Sequence, residues 1–335
     1  MYHVILAGGS GTRFWPMSTH ENPKQFLKIV DDLSLIKTTY NRLLKISSED
    51  KIFIITSKKY VDKINDELNS ANIIVEPSPK NTAPAIYLAA KHIFSINNNA
   101  KLAFYPSDHY IKDENNFYKT IEHINKYLDI NNNAILSIGI QPNYPATGYG
   151  YISYNEEINP YENIYKVDLF TEKPNNIKAE ELIQKKSNLW NAGMFFFYAD
   201  TIVKEIEKYN FEFQNNNNID TDWDNYPNIS IDYAVMEKTD NCYCIRGDFI
   251  WSDVGSWKTL YELLDKNSDL NVISGNAVLH NSKNNLIISP NKLTAVVGLD
   301  NIAVINIDNT TLVINLDKSD ELKELVNLLS NNKNY

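Results

Sequence analysis

One segment limits the folds open to this chain more than any other. A short apolar run, Val4-Ile5-Leu6, opens directly into Ala7-Gly8-Gly9-Ser10-Gly11-Thr12-Arg13. Glycines have no Cβ, so the main chain can approach a ligand closely, and successive free N–H groups form an anion-binding concavity. Two familiar phosphate loops fail against this segment. The Walker pattern needs Gly-Lys-Ser/Thr after four spacer residues, and it is missing. The dinucleotide fingerprint starts correctly at Gly9-Ser10-Gly11 but has Phe14 where its third glycine belongs. What remains is a glycine loop followed by Arg13 and then by Pro23-Lys24-Gln25. Those two cations suit a polyphosphate. The bland alternative is a tight turn flanked by solvated charges.

The periodicity that follows favours an α/β chain. Strand patterns at Val4–Leu6, Lys51–Thr56, Ile73–Val75, Lys101–Tyr105 and Ala134–Gly139 alternate with helical ones. The helices are expected from Ser34 to about Lys45, over Tyr60–Leu68, from near Ala83 to Phe94, and over Phe117–Leu128. Asn81 or Thr82 caps the third, with Pro84 in its first turn, where a missing N–H costs nothing. Such alternation argues for a mostly parallel sheet covered on both faces. After about Asn271 the texture changes to short runs rich in Val, Ile and Leu: Val272-Ile273, Leu286–Ile288, Ala295–Val297, Ile302–Ile307 and Thr311–Ile314. This reads as a small all-β appendage, one or two coils of a solenoid, closed by a helix over Lys318–Leu329. The expected domains are therefore 1–268 and 269–335. Asn runs at 97–99, 131–133 and 215–218 read as polar turns, with no function attached.

Composition narrows the chemistry. The 335 residues carry a net charge of −10 and show no basic stripe, which argues against nucleic acid as a partner. An anionic ligand must be held by a few local cations or a metal. Two Cys cannot build a disulfide framework or a four-thiolate zinc site, so a reducing compartment is expected. No apolar run approaches the length of a membrane span, and Met1–Ala7 lacks the features of a secretory signal. The expectation is a soluble cytoplasmic protein.

Two acidic residues stand out. Asp108, in Tyr105-Pro106-Ser107-Asp108-His109, lies just past a strand, at the edge where open α/β sheets bind ligands. A hard cation such as Mg²⁺ prefers carboxylates plus substrate phosphates. Asp253, in Trp251-Ser252-Asp253-Val254-Gly255-Ser256-Trp257, is the best candidate for a second carboxylate, although it could merely cap a helix. Cys242 and Cys244 alternate as on a strand, and no His arrangement beyond His109 bears on this site.

The glycine loop with Pro23-Lys24-Gln25-Phe26 resembles the signature of the sugar-1-phosphate nucleotidylyltransferases. Further segments resemble the branch that joins GTP to mannose 1-phosphate. They are Glu76-Pro77, Asn81-Thr82-Ala83-Pro84-Ala85, Pro106–His109, Thr147–Ile152, Glu172-Lys173-Pro174, Trp190–Phe195, Ser230–Glu237 and Trp251–Trp257. They occur in the family's order and cover nearly the whole chain.

The resemblance implies a Rossmann-like nucleotidyltransferase domain of GT-A-like mixed sheet, with helices on both faces, and a small left-handed β-helix-like tail. It also implies Mg²⁺, GTP and mannose 1-phosphate as substrates, and GDP-mannose and diphosphate as products; a homodimer is common in such families. It assigns Arg13, Lys24, Asp108 and Asp253 to catalysis, with Asp108 and Asp253 on the metal. Ala7, Gly8, Gly9, Ser10, Gly11, Thr12, Asn81, Thr82, Pro84 and Ser107 would bind nucleotide. Gly148, Glu172, Lys173, Asn191 and Asp232 would bind the sugar phosphate.

There are departures. Lys80 stands where the family usually has Arg, which loses the planar fork, and Ala192 replaces a usual Ser. Some members carry a C-terminal isomerase domain for which this sequence has no room, so no isomerase activity is expected. The rival readings are a thymidylyl- or uridylyltransferase acting on glucose 1-phosphate, a non-catalytic nucleotide-sugar binder on the same scaffold, and, more remotely, an NAD-linked enzyme.

Overall fold

The computed structural model describes residues 1–9, 11–69, 71–156, 161, 163–214 and 222–331, so the 215–218 Asn run lies outside the described residues. The chain forms two compact units. The first comprises Met1–Gly8, Thr39–Ser107 and Ile111–Trp251; the second comprises Gly9–Thr38, Asp108–Tyr110 and Ser252–Tyr335.

The first unit is built on a nine-stranded sheet. Its strands are β1 (Tyr2–Leu6), β2 (Ile52–Ser57), β3 (Asn72–Glu76), β4 (Lys101–Pro106), β6 (Ile135–Ile140), β7 (Tyr151–Tyr154), β8 (Ile164–Thr171), β9 (Asn188–Tyr198) and β10 (Cys242–Arg246). β5 (Tyr110–Lys112) and β11 (Ile250–Ser252) form a separate two-stranded ladder. The large sheet runs β3-β2-β1-β4-β9-β6-β10-β8-β7. β3, β2, β1 and β4 are mutually parallel, as the strand–helix alternation predicts. Beyond β4 the expectation of a mostly parallel sheet fails. β9 runs antiparallel to β4, β6 and β7, and β8 runs antiparallel to β7 and β10. Strand–helix alternation is interrupted after Ile140: β6, β7 and β8 follow one another with no helix among the described residues between them, whereas helices Asn176–Ile183 and Ala199–Tyr209 stand on either side of β9.

The four expected helices all form, as α1 (Leu35–Leu44), α2 (Val61–Leu68), α3 (Thr82–Ile96) and α4 (Glu114–Ile130). α1 begins directly after Ser34, as its sequence predicts. Asn81 caps α3, its Oδ1 accepting from Thr82 N at 2.9 Å. Every residue of β2 and of β6 is buried, which requires cover on both faces of the sheet. The core joins β1, β2, β4 and β9 to α3 through Val4, Ile55, Ile86, Ala90, Ile93, Phe104 and Phe197.

The second unit contains the tail. β12 (Val272–His280), β13 (Leu286–Val297) and β14 (Ile302–Ile307) stack in parallel, and β15 (Thr310–Asn315) closes the stack antiparallel to β14. β13 merges two runs that the sequence separates at Pro290 and Asn291. The last helix, Leu322–Asn331, starts later than expected because a 3₁₀ turn takes Leu316–Glu321. The core of this unit joins Val272, Leu286, Ile288, Ala303 and Ile305 of the tail to Phe14, Leu27, Ile29 and Leu35, and to Val254, Trp257 and Leu260. The segment that follows Gly8 is therefore seated on the solenoid.

Candidate active site

β1 and β4 are adjacent and parallel, so the loops that follow them leave the same edge of the sheet. The first loop continues into the second unit, where Phe14 is fully buried and packs edge-on against Trp257 at 4.8 Å. That contact anchors the glycine loop from behind. Gly11 has φ of +36°, and a Cβ on it would lie 2.7 Å from Lys24 Cβ and 3.0 Å from Lys24 N. Only glycine lets this loop rest on the backbone of Lys24. Gln25 Nε2 donates to Gly9 O at 3.1 Å and tethers the other end.

Lys24 is only 3% exposed, which excludes the solvated surface charge. Its Nζ lies 2.8 Å from Asp108 Oδ2 and donates to Asp253 O at 2.5 Å. One buried ammonium thus meets both acidic residues singled out in the sequence, one through its carboxylate and the other through its main chain. Asp253 sits in a strained turn: Val254 has φ of +47°, its N–H donates to Ser252 Oγ at 3.0 Å, and a Cβ on Gly255 would fall 2.8 Å from Asp253 Oδ2. Burial alone would raise the Asp108 carboxyl, but Lys24, His109 and Arg13 outweigh it and hold it below its usual value. Burial pushes His109 down to about 4 against the pull of the Asp108 and Asp253 carboxylates, so this imidazole is neutral at pH 7. Arg13 is exposed. Ser10 and the side chain of Thr12 lie outside the described residues.

Among the described residues no group of three or more His, Cys, Asp or Glu could hold a metal. Cys242 and Cys244 are buried free thiols, and burial pushes Cys242 up to about 12. A metal at Asp108 and Asp253 would therefore have two carboxylates and would take its other oxygens from phosphates and water. Mg²⁺ binds in that manner, so the donor set fits it.

Within the first unit, the nucleotide candidates divide. Ala7 is committed to the sheet: its N–H donates to Ile55 O and its carbonyl accepts from Thr56 Oγ1, both at 2.9 Å. Its main-chain N–H is therefore not available to a phosphate. Ser107 is 5% exposed, and its main chain bonds Leu6 and Thr39. Gly8 lies against Glu76, whose Oε1 is 3.5 Å from where a Gly8 Cβ would stand. Asn81, Thr82 and Pro84 form the first turn of α3, with Thr82 Oγ1 accepting from Ile231 N at 2.9 Å. Lys80 donates to the main-chain carbonyls of Asp224 and Tyr226. Two carbonyls do not need a planar fork, which accounts for lysine in place of arginine. Ala192 is fully buried on β9, with no room for a hydroxyl to reach solvent.

Glu76 is the residue the sequence left without a role. It is 4% exposed, and burial pushes it up to about 7, against a main-chain hydrogen bond from Lys80. Its signal was an acidic residue at the buried end of a strand, and the fold sets it beside Gly8.

The sugar candidates gather around β9. Gly148 has open space where a side chain would stand. A Cβ on Gly150 would come 2.5 Å from Glu172 Oε2, so this glycine makes room for the carboxylate. The Glu172 side chain is 7% exposed, whereas Lys173, paired with it, is 61% exposed. Asn191 Oδ1 accepts from Ser137 Oγ at 2.8 Å and from Gly193 N at 3.0 Å, and its Nδ2 donates to Asp232 Oδ1 at 3.1 Å. Burial, then the Glu172 carboxylate, push Asp232 up to about 6. Asp232 opens a π-helical turn, Asp232–Met236, a rare distortion that is frequent at functional sites. Tyr149 packs on both Trp190 and Trp251, at 5.1 and 5.2 Å.

A glycine loop after β1, an acidic residue after β4 and a parallel β solenoid at the C-terminus define a class of nucleotide-sugar-forming transferases. The nucleotidyl transferase family model matches residues 2–269, and the β-helix domain model of the mannose phosphate isomerase and guanylyltransferase group matches residues 275–329. A mannose-1-phosphate guanylyltransferase of Escherichia coli is 36% identical over 355 residues, covering 96% of this chain and 74% of the relative. One from Sinorhizobium fredii is 33% identical, covering 99% of this chain and 68% of the relative. A crystal structure from Thermus thermophilus, described as a mannose-1-phosphate geranyltransferase, superposes with a TM-score of 0.91 at 25% identity, over 98% of this chain and 99% of its own. A UDP-glucose pyrophosphorylase shares the fold at a TM-score of 0.55 and 18% identity, over 78% of this chain and 97% of its own. The chain belongs to the mannose-1-phosphate guanylyltransferase family of nucleotidyl transferases. No described helix is long and apolar enough to cross a membrane.

Proposed function

We propose that this protein transfers guanylyl from GTP to α-D-mannose 1-phosphate, giving GDP-mannose and diphosphate, with Mg²⁺ and in the cytoplasm. The observation that carries this reading is the buried Lys24 ammonium, bonded to Asp108 and Asp253 beneath Gly11. The sugar phosphate oxygen attacks the α-phosphorus in line, and diphosphate leaves. Both reactants are anions, so the barrier is repulsion and alignment, which positioned charge lowers.

In this reading Gly8, Gly9, Ser10 and Gly11 offer main-chain N–H groups to the triphosphate, and Thr12 and Arg13 hold the leaving diphosphate. Lys24 neutralises charge near the α-phosphate. Asp108 and Asp253 would hold Mg²⁺, which when bound would neutralise charge on the reacting phosphates. Asn81, Thr82 and Pro84 line the base pocket beside Glu76, and Lys173 meets the sugar phosphate. Residues 1–268 form the transferase domain and 269–335 the β-helix domain.

The test is diphosphate release from GTP, measured with and without mannose 1-phosphate and Mg²⁺. Release that needs both is the expected result. Release with glucose 1-phosphate and UTP or dTTP instead would overturn the substrate assignment, and none with any pair would overturn the catalyst.

A further inference from the structure

We infer that the first unit carries a second ligand site, for a small organic phosphate, in a cleft at the edge of the sheet where β1 and β2 begin. That edge is opposite the one from which Gly8 departs, and the inference does not depend on the transferase reaction.

The cleft holds about 540 Å³ and lies among the chain that joins α1 to β2, the start of β1, and α4. His3 lines it and is 3% exposed. Its Nδ1 lies 3.0 Å from the Tyr105 hydroxyl, which is fully enclosed and has no other acceptor among the described residues. A buried hydroxyl without an acceptor is costly, so Tyr105 donates and Nδ1 accepts. Burial pushes His3 down to about 3, with the Lys51 charge adding to the effect, so the ring is neutral and Nε2 carries its one hydrogen. That N–H has no described acceptor in the protein.

Asn125, also in the lining, repeats the pattern. Its Oδ1 accepts from Lys101 Nζ at 3.1 Å, which leaves the Nδ2 donor without a described partner. Ser47 and Ser48 add two hydroxyls, and Lys51 and Lys119 two ammoniums that no described carboxylate pairs. Glu122, the carboxylate in the lining, is already bonded to Lys126 at 2.7 Å. Acceptors here are spent and donors remain, in a chain whose net charge is −10. Two unpaired cations match a phosphate, with its charge of about −1.5 to −2 and three acceptor oxygens, better than they match one carboxylate. The cleft is also far larger than an inorganic ion needs, a water taking only about 30 Å³ of liquid. Ile46, Tyr118 and Ile121 give it apolar wall, so the occupant is a phosphate ester with an apolar or aromatic body.

Phenyl phosphate is the probe, titrated calorimetrically into the full chain. Saturable binding is expected, about fivefold or more tighter than that of inorganic phosphate, which lacks the apolar body, or of benzoate, which lacks the second charge. Replacing both lysines, as Lys51→Ser with Lys119→Ser, should weaken it by about five- to thirtyfold, the loss of two solvent-screened charges. Both lysines are exposed, so the variant keeps the fold. Asn125→Asp retains the acceptor for Lys101 while replacing the free donor with an anionic oxygen, and should weaken binding by a similar factor. An absence of saturable binding, or binding that is unchanged in the lysine double variant or in Asn125→Asp, would overturn the site. Equal affinity for inorganic phosphate or benzoate would overturn its assignment to an organic phosphate.

Discussion

Lys24 Nζ stands 2.8 Å from Asp108 Oδ2, with the lysine 3% exposed and the aspartate side chain 27%, so the ammonium is interior and its carboxylate partner is partly open to solvent. A buried pair costs desolvation, and its loss from one side leaves an uncompensated charge. Such an arrangement is weak evidence for stability and better evidence for a poised electrostatic site.

Lys24→Ala should therefore lower turnover by about 10²–10³, the usual loss for a removed electrostatic contact of this kind. The loss should fall on kcat more than on KM for GTP. Steady-state kinetics decide: a rise confined to KM would mean that Lys24 binds ground state and transition state equally.

Asp253→Asn should abolish Mg²⁺-dependent turnover while the fold persists, because Lys24 bonds the main-chain oxygen of Asp253, which the substitution retains. Near-normal activity, measured as diphosphate release across a Mg²⁺ titration, would remove Asp253 from the metal.

The glycines of the loop should separate stability from binding. Gly11→Ala meets Lys24 backbone and carries φ of +36°, so a loss of about 1–3 kcal/mol is expected. Gly9 has nothing within 4 Å of its Cβ position, so Gly9→Ala should keep the wild-type Tm. Any loss it shows should be in GTP binding. Thermal melts and nucleotide titrations of the two variants are the measurement, and equal melting losses would refute the distinction.

What the sequence revealed and what it hid follow from range. Strands β1 to β4 and their helices were legible because local periodicity writes them. The antiparallel half was hidden, because pairing between β9 and β4 is a contact across about ninety positions with no local mark. Glycine loop, Lys24, Asp108 and Asp253 were legible as residues, yet that Lys24 is interior was not. Nor was it legible that the Ile55 carbonyl takes the Ala7 N–H, because that partner lies on another strand. No local sign in the sequence marked a structural role for Asn in the tail, and the fold gives two of them work. Asn271 Nδ2 donates to Ser282 O, while Asn285, fully buried, receives from and donates to main chain on the next coil at Ile302 and Leu299.

That ladder predicts a stability effect apart from the transferase chemistry. Asn285→Ala would leave Leu299 O and Ile302 N without their partner. Both bonds are part-buried, so at about 0.5–1.5 kcal/mol for each hydrogen bond lost a destabilisation of about 1–3 kcal/mol is expected. Chemical denaturation measures it, and a change below about 1 kcal/mol would show that water replaces the side chain.

Glu76 predicts a pH dependence whose sign is set by burial. Its carboxyl titrates at about 7 in the fold and at about 4.3 when the chain is unfolded. Between those values the folded state holds the extra proton, so this group's contribution to stability falls as pH rises from about 4 to 7 and is flat above. At about 1.36 kcal/mol per unit, the penalty above pH 7 is about 3–4 kcal/mol. Glu76→Gln removes it, so the variant should gain on the wild type between about pH 5 and pH 8 in paired urea titrations. A difference that does not change between the two pH values would mean that Glu76 is ionised in the fold throughout. Its place beside Gly8 would then be held by a charge and not by a neutral acid.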